Sequence, residues 1–335
     1  MTDIISSMLP EIESELMRQV SRLDEEHSLP FKEMLTYHLG WSGDGAGEEA
    51  TGKRIRPLLL LLTAASCGMD WKKALPAAAA VELVHNFSLV HDDIQDNSPE
   101  RRGRPTVWVK WGSPLAINVG DALFALSTLA LTDLGHEFPH DRVLESIRIL
   151  QQTCLDLTRG QFLDMSFEDR TDVKVEDYWL MITGKTASLL SASCHLGAIL
   201  GNADESTEEA YRSFGHFLGL AFQVQDDILG IWGDENVTGK SAASDLIERK
   251  KSLPVLAGLS KQGKFAEFWN ANNITPENVE EAAKLLASDS AYTYTHDIAK
   301  QMTDMANNSL READPQGEAG DTLMDLADRL LHRTT

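Results

Sequence analysis

Three carboxylates, Asp92, Asp93 and Asp96, stand close together in "LVHDDIQDNSPERRGRPT", and Arg101, Arg102 and Arg104 follow them almost at once. A second acidic pair, Asp226 and Asp227, lies in "FQVQDDILGIW", with Gln223 one turn earlier. On a helix, Glu82, His85, Asp92 and Asp96 share one polar line, and Asp93 lies about 100° round from Asp92. Gln223, Asp226 and Asp227 fall at i, i+3 and i+4 and also share a face. Carboxylates near a helix C-terminus oppose the macrodipole, and adjacent like charges repel. A divalent cation offsets both costs, and hard oxygen ligands with open positions for water and phosphate are what Mg2+ takes. A solvated acidic helix end is the competing reading; two aspartate clusters inside apolar helices weigh against it.

The cations group as the acids do. "TGKRIRP" brings Lys53, Arg54 and Arg56 to the start of a helix near Pro57, where free N–H groups face anions. "GKT" at 184–186 interrupts a helix, and "GKSAASDLIERKKS" supplies Lys240, Lys250 and Lys251. In a chain with 30 Lys and Arg against 52 Asp and Glu, formal charge −22, these recurrent basic groups read as local phosphate sites. The same balance excludes a general affinity for nucleic acid or anionic lipid, which needs a broad basic surface. "DDIQDNSPE" is no EF-hand loop, because Ile94 and Asn97 stand at its third and sixth positions. "GDENVTGKS" fails as a nucleotide-binding loop, because its glycines, Gly233 and Gly239, are one residue too far apart and no strand precedes it. No paired histidines suggest zinc.

The elements that carry these groups read as helices almost throughout. Apolar residues recur at threes and fours over 4–25, 57–69, 74–96, 114–135, 141–168, 174–200, 206–232, 253–261, 276–287, 291–312 and 318–333. Pro57, Pro114, Pro254 and Pro276 sit where a first helical turn tolerates proline. Separators such as "GWSGDGAGEE" and "NANNITPEN" are turn-like, and none marks a domain boundary. The expectation is an all-α chain, one domain over 1–335, built as a single large bundle. "ALPAAAAVELVHNFSLVHDD" and "FGHFLGLAFQVQDDILGIW" are apolar over much of their circumference and belong inside it. Cys67, Cys154 and Cys194 show no ligand spacing and leave an odd count, which suits buried thiols in a reducing cytosol. No secretory signal or membrane span is evident, so a cytoplasmic protein is expected.

"GKRIRP", "LVHDDIQD", "RRGRPT", "GKT", "FQVQDD" and "RKKSLP", in this order from about 50 to 255, resemble the trans-isoprenyl diphosphate synthases, or polyprenyl synthetases. The resemblance implies an all-α bundle around a deep hydrophobic cavity, usually homodimeric. It also implies Mg2+, three ions with substrate bound, and condensation of isopentenyl diphosphate with an allylic diphosphate (C5, C10 or C15). Asp92 and Asp96 then match the first aspartate-rich motif as metal ligands, supported by Asp93, and Asp226 matches the leading ligand of the second, beside Asp227. Lys53, Arg56, His85 and Arg102 match the isopentenyl diphosphate pocket. Arg101, Lys185, Thr186, Gln223, Lys240 and Lys250 match contacts to the allylic diphosphate and the leaving pyrophosphate. His85 also reads as a satisfied core histidine.

Two positions depart from the family's pattern. Gly230 stands where the second motif usually ends in aspartate, and Asp234, one turn further on, is the expected substitute. Arg249 stands where glycine often precedes the lysine, which leaves Lys250 and Lys251 competing for the role. Phe87 and Ser88, just before the first motif, are the expected ruler of product length; ordinary core packing is the other reading of Phe87. An aromatic residue at that position with an uninterrupted DDxxD resembles enzymes making C20, geranylgeranyl diphosphate, with C15 farnesyl diphosphate as the alternative. A class I terpene cyclase would leave Lys53, Arg56 and His85 without purpose. A non-catalytic synthase subunit should lose aspartates that this chain keeps.

Overall fold

A computed structural model describes residues 3–233 and 243–331; Asp234 and Lys240 lie outside them. Helices dominate, as the periodicity requires. The first half carries α1 (Asp3–Val20), α2 (Leu29–His38), α3 (Glu48–Thr51), α4 (Ile55–Ser66) and α5 (Leu75–Gln95). A two-residue hairpin, β1 (Glu100–Arg101) and β2 (Arg104–Pro105), precedes α6 (Val107–Trp111), α7 (Ser113–Asp133) and α8 (His140–Phe167). Next come α9 (Val175–Ile182), a π turn at Thr183–Ala187, α10 (Ser188–Leu200) and α11 (Glu205–Trp232). The last stretch holds α12 (Ser244–Ile247), α13 (Leu253–Ser260), α14 (Lys264–Ala271), α15 (Val279–Ser288), α16 (Ala291–Ala313) and α17 (Gly317–Leu331).

Several elements depart from the expected segments. The helices α2 and α14 were unmarked because each is too short for apolar spacing to show a full stripe; α2 buries only Met34, Leu35 and Tyr37. Pro276 sits in the turn before α15 rather than in its first helical residues.

The chain divides into two compact units: Met1–Gln152 with Ala192–Glu208 and Pro315–Leu323, and Thr153–Ser191 with Glu209–Asp314 and Met324–Thr335. In the first unit α5 is central and packs against α1, α4 and α7. Its alanine run, Ala77–Ala80, is completely or almost completely buried, and such small side chains with high helix propensity let neighbours close in. Asn97, with φ 50°, takes the left-handed conformation that ends the helix just past Asp96. One helix among the described residues, Ser113–His136, is long and apolar enough to cross a membrane by length and composition. Its Val119, Leu123, Ala130 and Leu131 are fully buried, with α5 as its main packing partner.

In the second unit α13 packs on α16, α14 and α9. Ile231, Leu246, Val255, Phe265, Trp269 and Leu286 belong to one core there. The π turn at Thr183–Ala187 sits hard against α8: a Cβ on Gly160 would lie 2.7 Å from the carbonyl carbon of Gly184. Only a glycine pair permits that approach of helix to turn. Single π turns inside helices frequently mark functional sites, and this one carries Lys185 and Thr186.

Candidate active site

At the end of α5 the three aspartates separate into two kinds. Asp96 is exposed and Asp92 half-buried, one helical turn apart. Asp93 is 2% exposed, turned into the protein. One of its oxygens accepts both the Nε–H and an NH2 group of Arg101, each at 2.8 Å. The other has no partner. Burial raises the Asp93 carboxyl above the usual range, and the Arg101 contact offsets part of that rise. Asp93 is therefore the anchor that places Arg101 beside the Asp92 and Asp96 end of the helix.

The hairpin explains the three arginines of "RRGR". Arg101 pairs with Arg104 across it, so the two side chains share a register position but meet different surroundings. Arg102, left-handed at φ 53°, donates to the Ala50 carbonyl at 2.7 Å and so ties the hairpin to α3, just before the "GKRIRP" stretch. Arg104 is 7% exposed and donates to the carbonyls of Tyr37, Ser42 and Asp44 at 2.7 to 2.9 Å. Its guanidinium also stacks on the Tyr37 ring, 4.0 Å from the centroid. Grouped with phosphate-seeking cations by sequence, Arg104 is instead a brace for the glycine-rich loop after α2.

Lys53 is exposed, while Arg56 is half-buried with an unpartnered Nε. Burial lowers the Arg56 pKa against the opposing charge of Glu82. His85 is half-buried, and burial, followed by the nearby charges of Arg56 and Arg102, pushes its pKa well below the ordinary histidine value. The ring is thus neutral at pH 7 and can hydrogen-bond without adding charge. The sequence grouped Arg54 with these cations, yet its guanidinium forks between Glu13 and Glu82, so it is occupied.

One turn and more before Asp92, Phe87 is 9% and Ser88 8% exposed. The Phe87 ring lies 5.2 Å from Phe124 of α7 and 5.3 Å from His91. Ser88, inside the helix, donates its hydroxyl back to the His85 carbonyl at 2.8 Å.

In the second unit Asp226 is half-buried and Asp227 2% exposed. Asp227 accepts from the Tyr178 hydroxyl at 2.7 Å, the Leu253 amide at 2.9 Å and the Gln223 amide at 3.1 Å. Thr186 in turn donates to Gln223 at 2.7 Å. Burial raises the pKa of Asp227, with the Lys250 charge and these donors pulling it back. Asp227 thus gathers three donors of the scaffold, while Asp226, the residue before it, is the less buried of the pair. Lys185 bonds Asp164 of α8. Burial alone would lower Lys250, but Asp245, Asp227 and Asp164 outweigh it and hold the ammonium charged.

The residue before Lys250 resolves a sequence anomaly. Arg249 is left-handed at φ 54°, a conformation natural to glycine. Its guanidinium donates to the carbonyls of Trp269 and Asn272 at 3.0 and 3.1 Å and stacks 4.2 Å from the Trp269 ring centroid. Arginine thus holds by its side chain a bend that glycine adopts freely. Lys251 lies 5.6 Å over the same ring, whereas Lys250 faces the carboxylates. Tyr178, Asp164 and Asp245 escaped the sequence reading, since a lone tyrosine and two isolated aspartates carry no spacing signal.

Comparison with known proteins shows the family. The polyprenyl synthetase family model matches residues 47–288. The geranylgeranyl diphosphate synthase of Mycobacterium tuberculosis is 45% identical over 291 residues, 85% of this chain and 82% of that protein. Among solved structures, a polyprenyl synthetase from Streptomyces coelicolor superposes with TM-score 0.85 at 38% identity, covering 96% of both chains. A geranylgeranyl pyrophosphate synthetase from Pyrococcus horikoshii superposes with TM-score 0.88 at 32% identity, covering 98% of this chain and 96% of that one. The helices, the motif order and the matches agree, and the chain belongs to the polyprenyl synthetase family, with its all-α isoprenoid synthase fold.

Proposed function

We propose that this trans-prenyltransferase condenses isopentenyl diphosphate with allylic diphosphates to geranylgeranyl diphosphate, with farnesyl diphosphate as the alternative product. The observation that carries the reading is the end of α5, where Asp92 and Asp96 stand one turn apart and Asp93 fastens Arg101 beside them. Two carboxylates with an adjacent guanidinium suit a diphosphate bound through metal. The whole chain is read as one polyprenyl synthetase-like domain, with its motifs between about 50 and 255.

Mg2+ fits the donor set. Among the described residues no three His, Cys, Asp or Glu side chains converge to hold an ion unaided. Mg2+ is commonly held by one or two carboxylates, with water and substrate phosphate oxygens completing its shell. Asp92, Asp96 and Asp226 would be those carboxylates, for three ions once substrate is bound. When bound, the ions neutralise the charge that gathers on the departing pyrophosphate.

The protein's own groups do the rest. Lys53, Arg56, Arg102 and neutral His85 would hold isopentenyl diphosphate. Arg101, Lys185, Thr186, Gln223, Lys240 and Lys250 would hold the allylic diphosphate and stabilise its leaving group, electrostatic help of the kind that preorganised donors give most effectively. The allylic C–O bond breaks, the isopentenyl double bond attacks the resulting cation to form the new C–C bond, and the pyrophosphate takes the proton that is lost. Apolar side chains, Phe87 among them, exclude the water that would otherwise capture the cation.

A homodimer in the cytosol accompanies this reading. Leu155 and Phe162 lie two turns apart on α8 and are 61% and 67% exposed, apolar surface of the kind that a second copy covers. The experiment is incubation with Mg2+, labelled isopentenyl diphosphate and each of the C5, C10 and C15 primers, followed by chromatography. A C20 product supports the proposal, a C15 end product selects the alternative, and a cyclic hydrocarbon or no product overturns it.

A further inference from the structure

The structure assigns Arg54 as a positioning residue for the isopentenyl diphosphate half-site, with Glu82 and Glu13 as its counter-charges. Arg54 lies between Lys53 and Arg56 and has φ 49° and ψ 37°, left-handed backbone at the entrance to α4. L-residues with a side chain avoid that region, so something must hold this one there. The guanidinium supplies the hold. Its Nε donates to Glu13 at 2.6 Å, one NH2 group to Glu82 at 2.8 Å, and the other to Glu13 at 3.2 Å and the Leu39 carbonyl at 3.4 Å. The side chains of Arg54 and Glu82 are 1% and 3% exposed, so water does not screen the pair.

Both anchors are themselves fixed. Glu13 accepts the Trp41 indole N–H at 2.7 Å, and Glu82 accepts the Asn86 amide at 3.0 Å. Glu82 stands three residues before His85 on α5, the helix that ends in Asp92 and Asp96. The fork therefore references the bend between Lys53 and Arg56 to the helix that carries His85. Glu82 also favours the charged forms of Arg56 and Arg102, which burial opposes. Each of the three guanidinium nitrogens of Arg54 is directed at Glu13, Glu82 or the Leu39 carbonyl, and the three side chains set where Lys53 and Arg56 stand.

This inference rests on the proposed isopentenyl diphosphate site, and its test separates the two. Steady-state kinetics with each substrate varied in turn, at saturating Mg2+, are compared for wild type, Glu82→Gln, Glu13→Gln, Arg54→Gly and Arg54→Lys. Arg54→Gly permits the bend without holding it. Glu82→Gln and Arg54→Gly are expected to raise KM for isopentenyl diphosphate about tenfold or more, as small misplacements of binding groups do. KM for the allylic substrate and kcat should stay within about twofold, and Arg54→Lys should recover part of the loss. Thermal melts establish that each variant folds; if Arg54→Gly does not, the two glutamine variants decide. An unchanged KM in folded variants overturns the clamp, as does an equal loss for both substrates, which marks a merely structural pair. A wild-type chain that neither binds labelled isopentenyl diphosphate in equilibrium dialysis nor turns it over overturns the underlying site assignment itself.

Discussion

A Cβ added to Gly230 would lie 2.6 Å from the carboxyl carbon of Asp245, whose side chain fills the space beside that turn of α11. Asp245 is 3% exposed, and it is one of the charges that keep Lys250 protonated. Gly230 is the position at which relatives by motif usually carry a final aspartate. In this chain such a residue would collide with, and repel, a carboxylate already in place. Gly230→Asp should therefore cost about 1–3 kcal/mol from overpacking alone. Adding Asp245→Ala should return much of that loss, a coupling that urea denaturation of the single and double variants would measure.

Arg249 offers the opposite case, a side chain where glycine is natural. Replacing it with glycine removes the left-handed strain together with the bonds to Trp269 and Asn272. These effects oppose each other, so Arg249→Gly should keep the fold and the KM for the allylic diphosphate. Arg249→Val loses the same anchors and retains the strain. It should be about 1–2 kcal/mol less stable than the glycine variant, a difference that paired denaturation curves resolve.

Phe87 tests the product ruler. Its ring is backed by Phe124 at 5.2 Å, so the floor expected from sequence is one face of an aromatic pair. Phe87→Ala should shift products to longer chains, read by chromatography with the C15 primer. Removing the ring should also cost up to about 3–5 kcal/mol if no neighbour fills the space. An unchanged product ladder in a folded variant would leave Phe87 as ordinary packing.

Much of this was legible in the chain itself, and the misses share a cause. Long helices such as α5 and α11 were visible because their apolar spacing runs for many turns. The short helices α2 and α14 were not, because a stripe of two or three residues is indistinguishable from a loop. The acidic and basic clusters were visible as types, but which member faces inward was not. Asp93, Asp227, Arg54 and Arg104 all turn into the protein, the last three through partners distant in sequence: Tyr178 for Asp227, Glu82 for Arg54, and the Ser42 carbonyl for Arg104. Asp93 and Arg101 are only eight residues apart, yet the hairpin that joins them leaves no periodic trace.

Asp92 is the most direct test of the metal-dependent chemistry. Its carboxylate is half-buried at the end of α5, while the neighbouring Asp93 is committed to Arg101 and cannot replace it without breaking that pair. Asp92→Ala should lower kcat by about 10²-fold or more at saturating Mg2+, the scale of losing one preorganised electrostatic group. Asp92→Asn should do nearly the same, since shape is kept and charge is not. Turnover close to wild type in either variant would remove Asp92 from the site.

His38 makes the stability of the first unit depend on pH. Burial, then the nearby charges of Arg101, Arg102 and Arg54, lowers its pKa from 6.5 to about 3, and its Nε2 has no partner. His85, which sits in the same positive surroundings, is lowered as well. Below pH 6.5 the unfolded chain protonates these rings while the folded chain resists, so the unfolded state binds more protons. Stability conferred by the neutral rings is present above that pH and is lost as pH falls toward 3, where the folded His38 also protonates. The loss approaches about 1.4 kcal/mol per pH unit for each histidine at most. His38→Gln, which cannot titrate, should flatten the slope of the urea midpoint between pH 6.5 and 5, above the range where carboxylates dominate. A variant with the wild-type slope would show that His38 is protonated as readily in the folded chain as in the unfolded one.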